Sequence, residues 1–186
     1  MGLVELVDSD IDVDRLKEAT FSFLLEYDLI GQQQVSLTSI DGNNDWRSAN
    51  GKIRDLKHPE RFYSVINNAL AGTYIEECIN RYPMFYRWRL LKLKPKETYT
   101  VHRDGDGINT NIRLHIPVTS NDQSFLAFYD SRPVDNSTNS VYYKHLDVGS
   151  SYQINTTSFH TAVNYGNTDR YHIVGVRYEN SDNGTH

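Results

Sequence analysis

The stretch Asn111-Ile112-Arg113-Leu114-His115-Ile116-Pro117-Val118-Thr119 decides the fold predicted for this chain. Its side chains alternate between apolar and polar, which is typical of a β-strand with two different faces. Arg113 and His115 share one face, and apolar residues form the other. If the apolar face packs on helices, the polar face points into a barrel, where buried cations require an anionic occupant. The pattern therefore predicts a ligand site inside a β-barrel.

The same period of two continues through most of the chain after Pro83, with turn-forming residues between the runs. The 13 tyrosines and 7 phenylalanines concentrate in these alternating runs, which favours strands. Eight strands fit a mainly β fold, a double-stranded β-helix of the jelly-roll, cupin-like type. The predicted strands cover residues 85–94, 98–104, 111–119, 124–130, 141–146, 151–156, 159–165 and 170–178.

The first half of the chain has a different pattern. Residues 1–10 suggest a polar lead-in, and residues 11–27 have the apolar spacing of a helix. Residues 35–40 alternate as a strand, and residues 58–83 predict two helices or one interrupted helix. We expect the helices to pack on one sheet of the barrel.

Length and composition limit the number of domains and the kinds of partner that the chain can have. The 186 residues suit one domain, 1–186, with residues 84–178 as its barrel core and 179–186 as a flexible tail. A net charge of -5 without a basic stripe argues against nucleic acid, and no run is long and apolar enough for a membrane helix. We therefore expect a soluble cytoplasmic protein. Cys78 is the only cysteine, so a metal would rely on His, Asp and Glu.

His102 and Asp104 form a His-x-Asp pair that could place two ligands on one face of a strand. Alone, the pair is more simply explained as an exposed strand end. A distal histidine, His160, completes two histidines and one carboxylate, the facial triad of non-haem Fe(II) oxygenases. Asp106 in the same glycine-rich loop is a weaker alternative to Asp104.

Arg170 follows His160 by ten residues, beyond the turn formers Gly166 and Asn167. A guanidinium can donate two parallel hydrogen bonds to a carboxylate, so Arg170 could hold the far carboxylate of 2-oxoglutarate. If the turn joins adjacent strands, Arg170 lies roughly 10 Å along the strand from the point opposite His160. That distance leaves room for a five-carbon diacid.

Four runs match a known family in order and spacing: His102-Arg103-Asp104, Arg113-Leu114-His115-Ile116-Pro117-Val118, His160-Thr161-Ala162-Val163-Asn164 and Asp169-Arg170-Tyr171-His172-Ile173. Together they resemble the aspartyl/asparaginyl β-hydroxylase family of Fe(II)/2-oxoglutarate oxygenases, over about residues 85–178. The resemblance implies that His102 and His160 bind iron and that Arg170 holds the 2-oxoglutarate tail. It also implies that Arg113 and His115 line the cosubstrate or substrate pocket.

Asp104 departs from the best-known animal members, which lack this carboxylate, so their substrate does not transfer to this chain. The expected activity is hydroxylation of an amino-acid side chain in a peptide or protein. The alternatives are a hydroxylase of a free amino acid or other small molecule, and a jelly roll that binds a metal or small acid without turnover.

Several polar residues allow a simpler interpretation. Arg113 could equally pair with a buried acid, and His172, on the face of Arg170, is more simply structural. His58 and His145 are predicted to be surface residues.

Overall fold

The computed structural model describes residues 2–52, 55–105, 110–133 and 140–179. Short 3-10 turns cover Glu60–Phe62 and Asn68–Leu70. Within the described ranges the helices and longer elements follow in the order β1 (Val4–Asp8), α1 (Val13–Glu26), β2 (Gln34–Ser36), β3 (Thr38–Ser39), β4 (Val65–Ile66), α2 (Tyr74–Asn80), β5 (Tyr86–Leu93), β6 (Glu97–Thr98), β7 (Thr110–Thr119), β8 (Ser124–Tyr129), β9 (Val141–Lys144), β10 (Ser151–Asn155), β11 (Phe159–Asn164) and β12 (Arg170–Glu179).

Two antiparallel sheets form the barrel. The larger has the strand order β1-β10-β7-β12-β5-β2, and the smaller has the order β6-β11-β8-β9. Apolar side chains from both sheets, among them Leu93, Leu126 and Ile154, meet in one buried cluster between them. The fold is the predicted mainly β double-stranded β-helix.

The two helices cover the outer face of the six-stranded sheet. Leu16 and Leu24 of α1 and Ile75 of α2 belong to one buried cluster with Leu114 and Ile116 of β7. The predicted packing of the apolar face of β7 on helices is confirmed. Neither helix in the described chain is long and apolar enough to cross a membrane.

Predictions for the first half of the chain were partly wrong. Residues 4–8 are not a lead-in but strand β1, which pairs with β10 at the sheet edge and leaves Leu6 61% exposed. The predicted strand 35–40 is divided at Leu37, whose N–H donates to the Trp88 carbonyl at 2.8 Å, so that β2 pairs with β5 and β3 with β4.

The predicted helix at the start of residues 58–83 is replaced by the two 3-10 turns and β4, and only α2 is an α-helix. Asn67 explains the difference: its backbone N–H donates to the Leu37 carbonyl at 3.0 Å and its side-chain amide donates to the Ser36 carbonyl at 2.9 Å. Backbone groups that pair with β2 and β3 are not available for helical hydrogen bonds.

Two predictions near the site also need correction. The predicted strand 98–104 is regular only at β6, and the rest is a loop that touches β11 through an isolated bridge at His102. The turn at Gly166 and Asn167 does not join adjacent strands, because β11 lies in the small sheet and β12 in the large one. The chain crosses between the sheets there, and the predicted tail lies outside the described residues from residue 180 onward.

Gly175 of β12 packs directly against Trp88. A Cβ added at Gly175 would lie 2.8 Å from Trp88 Cε2, inside van der Waals contact, and the Trp88 ring is fully buried. We expect Gly175→Ala to lower the free energy of unfolding by about 1–3 kcal/mol in urea denaturation. Gly31→Ala is the control, because nothing lies within 4 Å of its added Cβ. Equal stabilities of the two variants would contradict this packing.

Candidate metal and cosubstrate site

A cavity of about 760 Å³ lies between the two sheets and opens at the loop that contains His102 and Asp104. Residues from both sheets line it. The alternation of the strands sends their polar side chains inward, as predicted for Arg113 and His115. Its charged and histidine lining residues include Arg89, Arg113, His115, His160, Arg170 and His172.

Three potential metal ligands converge at the mouth of this cavity. One ligand atom from each of His102, Asp104 and His160 lies within 4.8 Å of the others. His102 Nε2 is 3.8 Å from Asp104 Oδ1, and His160 Nε2 is 3.9 Å from Asp104 Oδ2. The structure therefore brings together the three residues that the sequence pattern selected, although the first two lie in a loop.

Both histidines are oriented by backbone carbonyls. His102 Nδ1 lies 2.8 Å from the Thr100 carbonyl, and His160 Nδ1 lies 2.9 Å from the Ser158 carbonyl. Since a carbonyl only accepts, each Nδ1 carries the proton and each Nε2 presents a lone pair toward Asp104. A backbone partner on the other ring nitrogen is the usual arrangement of metal-bound histidine.

The backbones of the two histidines also hold each other. His102 N–H donates to the His160 carbonyl at 3.0 Å, and His160 N–H donates to the His102 carbonyl at 2.7 Å. A third hydrogen bond, from Asp104 N–H to the Thr156 carbonyl at 2.9 Å, fixes the carboxylate next to them. The donor set of two imidazoles and one carboxylate fits a divalent transition metal.

Asp104 remains ionised in this setting. Burial acts to raise the pKa of its carboxyl, but nearby positive charge, that of the Arg113 guanidinium first, outweighs burial and holds the pKa well below its usual range. Arg113 Nε donates to Asp104 Oδ2 at 3.1 Å. The carboxylate is therefore charged and positioned as a ligand.

Glu60 is a second buried acid behind the site, and it was not found from the sequence. It is 4% exposed and forms ion pairs with Arg87 and, at 3.4 Å, with Arg113. Arg87 also donates to the carbonyls of Ala49 and Gly51 at 2.9 Å and 2.8 Å. Arg113 thus pairs with buried acids while it lines the cavity, which joins the two interpretations that the sequence left open.

Arg170 lies deeper in the cavity and is 5% exposed. Its only hydrogen-bond contact among the described residues is with His172 Nδ1, at 3.1 Å, and no described carboxylate pairs with it. Burial lowers the pKa of Arg170 to about 10, so the guanidinium stays cationic at neutral pH. A buried cation of this kind is a suitable partner for a carboxylate ligand.

His115 and His172 form a neutral pair beside Arg170. Burial, and then the Arg170 charge, lower both pKa values well below the usual range of histidine. Because the Arg170 guanidinium only donates, His172 Nδ1 accepts from it, and His115 Nδ1 lies 3.3 Å from the same atom. The His172 proton is then on Nε2, which is buried and has no partner in the described chain. His172 also lines the cavity, and its interpretation as a structural residue stays a prediction.

Arg89 is a further cavity residue that the sequence interpretation did not single out. It is 7% exposed, lines the cavity and has an Nε atom that is buried without a partner in the described residues. The run Arg87-Trp88-Arg89-Leu90 has the same alternation as Arg113-Leu114-His115-Ile116, and this signal could have found it.

The remaining polar candidates lie elsewhere. His145 and Asp147 form a second His-x-Asp pair, with His145 Nε2 3.5 Å from Asp147 Oδ1, but among the described residues only the His102 pair gains a third ligand. His58 is exposed beside Phe62, in agreement with its predicted surface position. Asp106 lies outside the described residues.

Comparison with known proteins supports the fold. The crystal structure of AviO1 from Streptomyces viridochromogenes Tue57 is 15% identical and superposes over 98% of this chain and 91% of its own length with a TM-score of 0.55. The non-heme alpha ketoglutarate dependent epimerase SnoN from nogalamycin biosynthesis is 11% identical and covers 96% of this chain and 78% of its own, with a TM-score of 0.53.

The apo structure of the non-heme monooxygenase ThoJ is also 11% identical, with a TM-score of 0.51 over 96% of this chain and 74% of its own. No family model and no curated protein matches the sequence. At these identities the solved structures show that the chain shares their fold.

Proposed function

We propose that the protein is an Fe(II)- and 2-oxoglutarate-dependent oxygenase. One observation carries this proposal: the ligand atoms of His102, Asp104 and His160 converge at the mouth of a cavity that also holds Arg170, which pairs with no carboxylate among the described residues. The fold shared with an alpha ketoglutarate dependent enzyme and a monooxygenase supports it.

His102, Asp104 and His160 would hold the iron at the mouth of the cavity. Iron bound there would supply the oxidation of a C–H bond by dioxygen, coupled to conversion of 2-oxoglutarate to succinate and carbon dioxide. Arg113 keeps Asp104 ionised and in place, and Glu60 in turn holds Arg113.

Arg170 would bind the far carboxylate of 2-oxoglutarate, and His172 Nε2–H would be a second donor beside it. His115 and His172 are neutral, so they add hydrogen bonds without further positive charge. Since this part of the cavity is buried, the ion pair would form away from water, where it is strongest.

For the substrate, we propose an amino-acid side chain in a peptide or protein, on the resemblance of the four runs to aspartyl/asparaginyl β-hydroxylases. A small-molecule substrate is the second candidate. It is favoured by the likeness in fold to SnoN, an epimerase from nogalamycin biosynthesis. Mass-shift screening of peptides, free amino acids and other small acids separates the two.

Succinate formation tests the activity directly. Purified protein with Fe(II), 2-oxoglutarate and oxygen is expected to form succinate, even slowly without substrate. His102→Ala should reduce the rate at least about a hundredfold by removing a ligand, and Arg170→Ala should raise the KM for 2-oxoglutarate at least about thirtyfold.

His145→Ala is the control, because His145 belongs to the His-x-Asp pair outside the site, and its rate should equal that of wild type. If wild-type protein neither forms succinate nor binds 2-oxoglutarate in calorimetry, the oxygenase proposal is wrong. Binding of metal and cosubstrate without turnover on any screened compound would instead favour a binding module.

A further inference from the structure

We propose that Arg89 binds an anionic group, a carboxylate or a phosphate, of the substrate itself; this inference rests on the proposed oxygenase function and deepens it. Arg89 lies on β5 opposite Val174 of β12, and its side chain lines the cavity. Arg89 is only 7% exposed, and its Nε atom has no hydrogen-bond partner in the described chain.

Among the described residues, the acids around the cavity are paired with other arginines. Arg87 and Arg113 share Glu60, and Arg113 also pairs with Asp104. No described acid forms an ion pair with Arg89. Burial, and then repulsion by Arg87 and Arg113, lower the pKa of Arg89 to about 9, which still leaves it charged at neutral pH. A buried unpaired cation is destabilising, so its position inside a cavity points to a bound anion.

Arg89 and Arg170 lie at different depths. Arg170 of β12 lies opposite Leu93 of β5, and Arg89 of β5 lies opposite Val174 of β12. The two arginine backbones are therefore four residues apart along the strands, a distance of about 13 Å. Val174 also pairs with His115, two residues from Arg113, which contacts Asp104, whereas Arg170 lies four residues farther along β12. Arg89 therefore lies at the metal end of the cavity, and Arg170 lies at the other.

This arrangement assigns the two cations to two ligands. One carboxylate of 2-oxoglutarate would lie at the metal and the other at Arg170, which leaves no cosubstrate group for Arg89. A molecule that is oxidised must reach the metal end, where Arg89 can hold its anionic group through two parallel hydrogen bonds. Such a contact would fix which C–H bond faces the metal.

The test uses acetate and inorganic phosphate as probes. Each is titrated into full-length protein loaded with Zn(II) and saturated with 2-oxoglutarate, while the arginine Nε–H resonances are followed by NMR. We expect the Arg89 resonance, identified by its loss in Arg89→Met, to shift saturably. Arg89→Met should weaken binding of the preferred anion at least tenfold and change the affinity for 2-oxoglutarate less than twofold. The better of the two probes distinguishes a carboxylate substrate from a phosphate substrate.

Arg103→Met is the matched control, since it removes an equal charge from an exposed residue at the cavity mouth. It should change anion affinity less than twofold. An unchanged anion affinity in Arg89→Met would overturn the proposal. So would a loss of 2-oxoglutarate binding as large as that of Arg170→Met, because Arg89 would then belong to the cosubstrate site.

Thermal unfolding shows whether a change in anion affinity comes from a folding defect of the Arg89→Met variant. Without ligand, Arg89→Met should raise the melting temperature by roughly 3 °C or more, since it removes an unpaired buried charge. A lower melting temperature would mean that Arg89 has a structural role and would contradict the proposal. If wild-type protein binds no 2-oxoglutarate, the oxygenase proposal fails, and titration of the Zn(II)-loaded protein alone still decides whether Arg89 holds an anion.

Discussion

Asp104→Asn is expected to weaken Zn(II) or Fe(II) binding at least about a hundredfold. The substitution keeps the size of the side chain but removes the anionic ligand between His102 and His160. It also removes one of the carboxylates that neutralise the Arg113 guanidinium, now 3.1 Å from Asp104 Oδ2, and leaves Glu60 at 3.4 Å as its buried partner. Both effects disfavour a dication, because a neutral amide is a weaker ligand and the nearby positive charge repels the ion.

Calorimetric titration of Zn(II) measures this effect, with thermal unfolding as a check that the variant is folded. Asp147→Asn is the matched control, because Asp147 also lies beside a histidine two residues before it, His145. That variant should bind Zn(II) as wild type does. If Asp104→Asn kept wild-type affinity, the two histidines would suffice, and Asp104 would not be a ligand.

Glu60→Gln is expected to lower the free energy of unfolding by about 3 kcal/mol or more. Glu60 is buried between Arg87 and Arg113, and the loss of its charge removes the acid that these two buried guanidiniums share. Removal of one partner from a buried ion pair typically costs about 3–5 kcal/mol, because the remaining charge stays buried.

Urea denaturation provides the measurement, and Glu77→Gln provides the control. Glu77 pairs with Arg15 at 3.0 Å, but their side chains are 51% and 55% exposed, so its loss should cost no more than about 0.5 kcal/mol. Equal effects at the two positions would contradict the view that Glu60 neutralises the buried arginines.

The barrel could be predicted because its strands have to separate two environments. In β7 the apolar side chains face the helices and Arg113 and His115 face the cavity, so the alternation is complete in the sequence. Strand β1 was missed because it is an edge strand of five residues, with Leu6 exposed and acidic residues on either side. The spacing of apolar residues after residue 58 matched that of a helix. The long-range hydrogen bonds of Asn67 instead hold this segment in 3-10 turns and strand β4.

The site was predictable where it follows local patterns. His102, Asp104, His160 and Arg170 stood in runs of recognisable order, and the structure places all four around one cavity. Glu60 could not be found in this way, because its role depends on contacts with residues 27 and 53 positions away. Likewise, only the structure shows that Arg87 pairs with Glu60, whereas Arg89 pairs with no acid in the described part of the chain.

The reciprocal hydrogen bonds between the backbones of His102 and His160 have a thermodynamic consequence. Because the loop with His102 and strand β11 with His160 are already hydrogen-bonded there, the relative position of the two imidazoles is set when the barrel folds. Metal binding then loses little conformational entropy at these two side chains. The site is thus preorganised, so that different divalent ions would compete for a fixed geometry, and their availability would decide which one is bound.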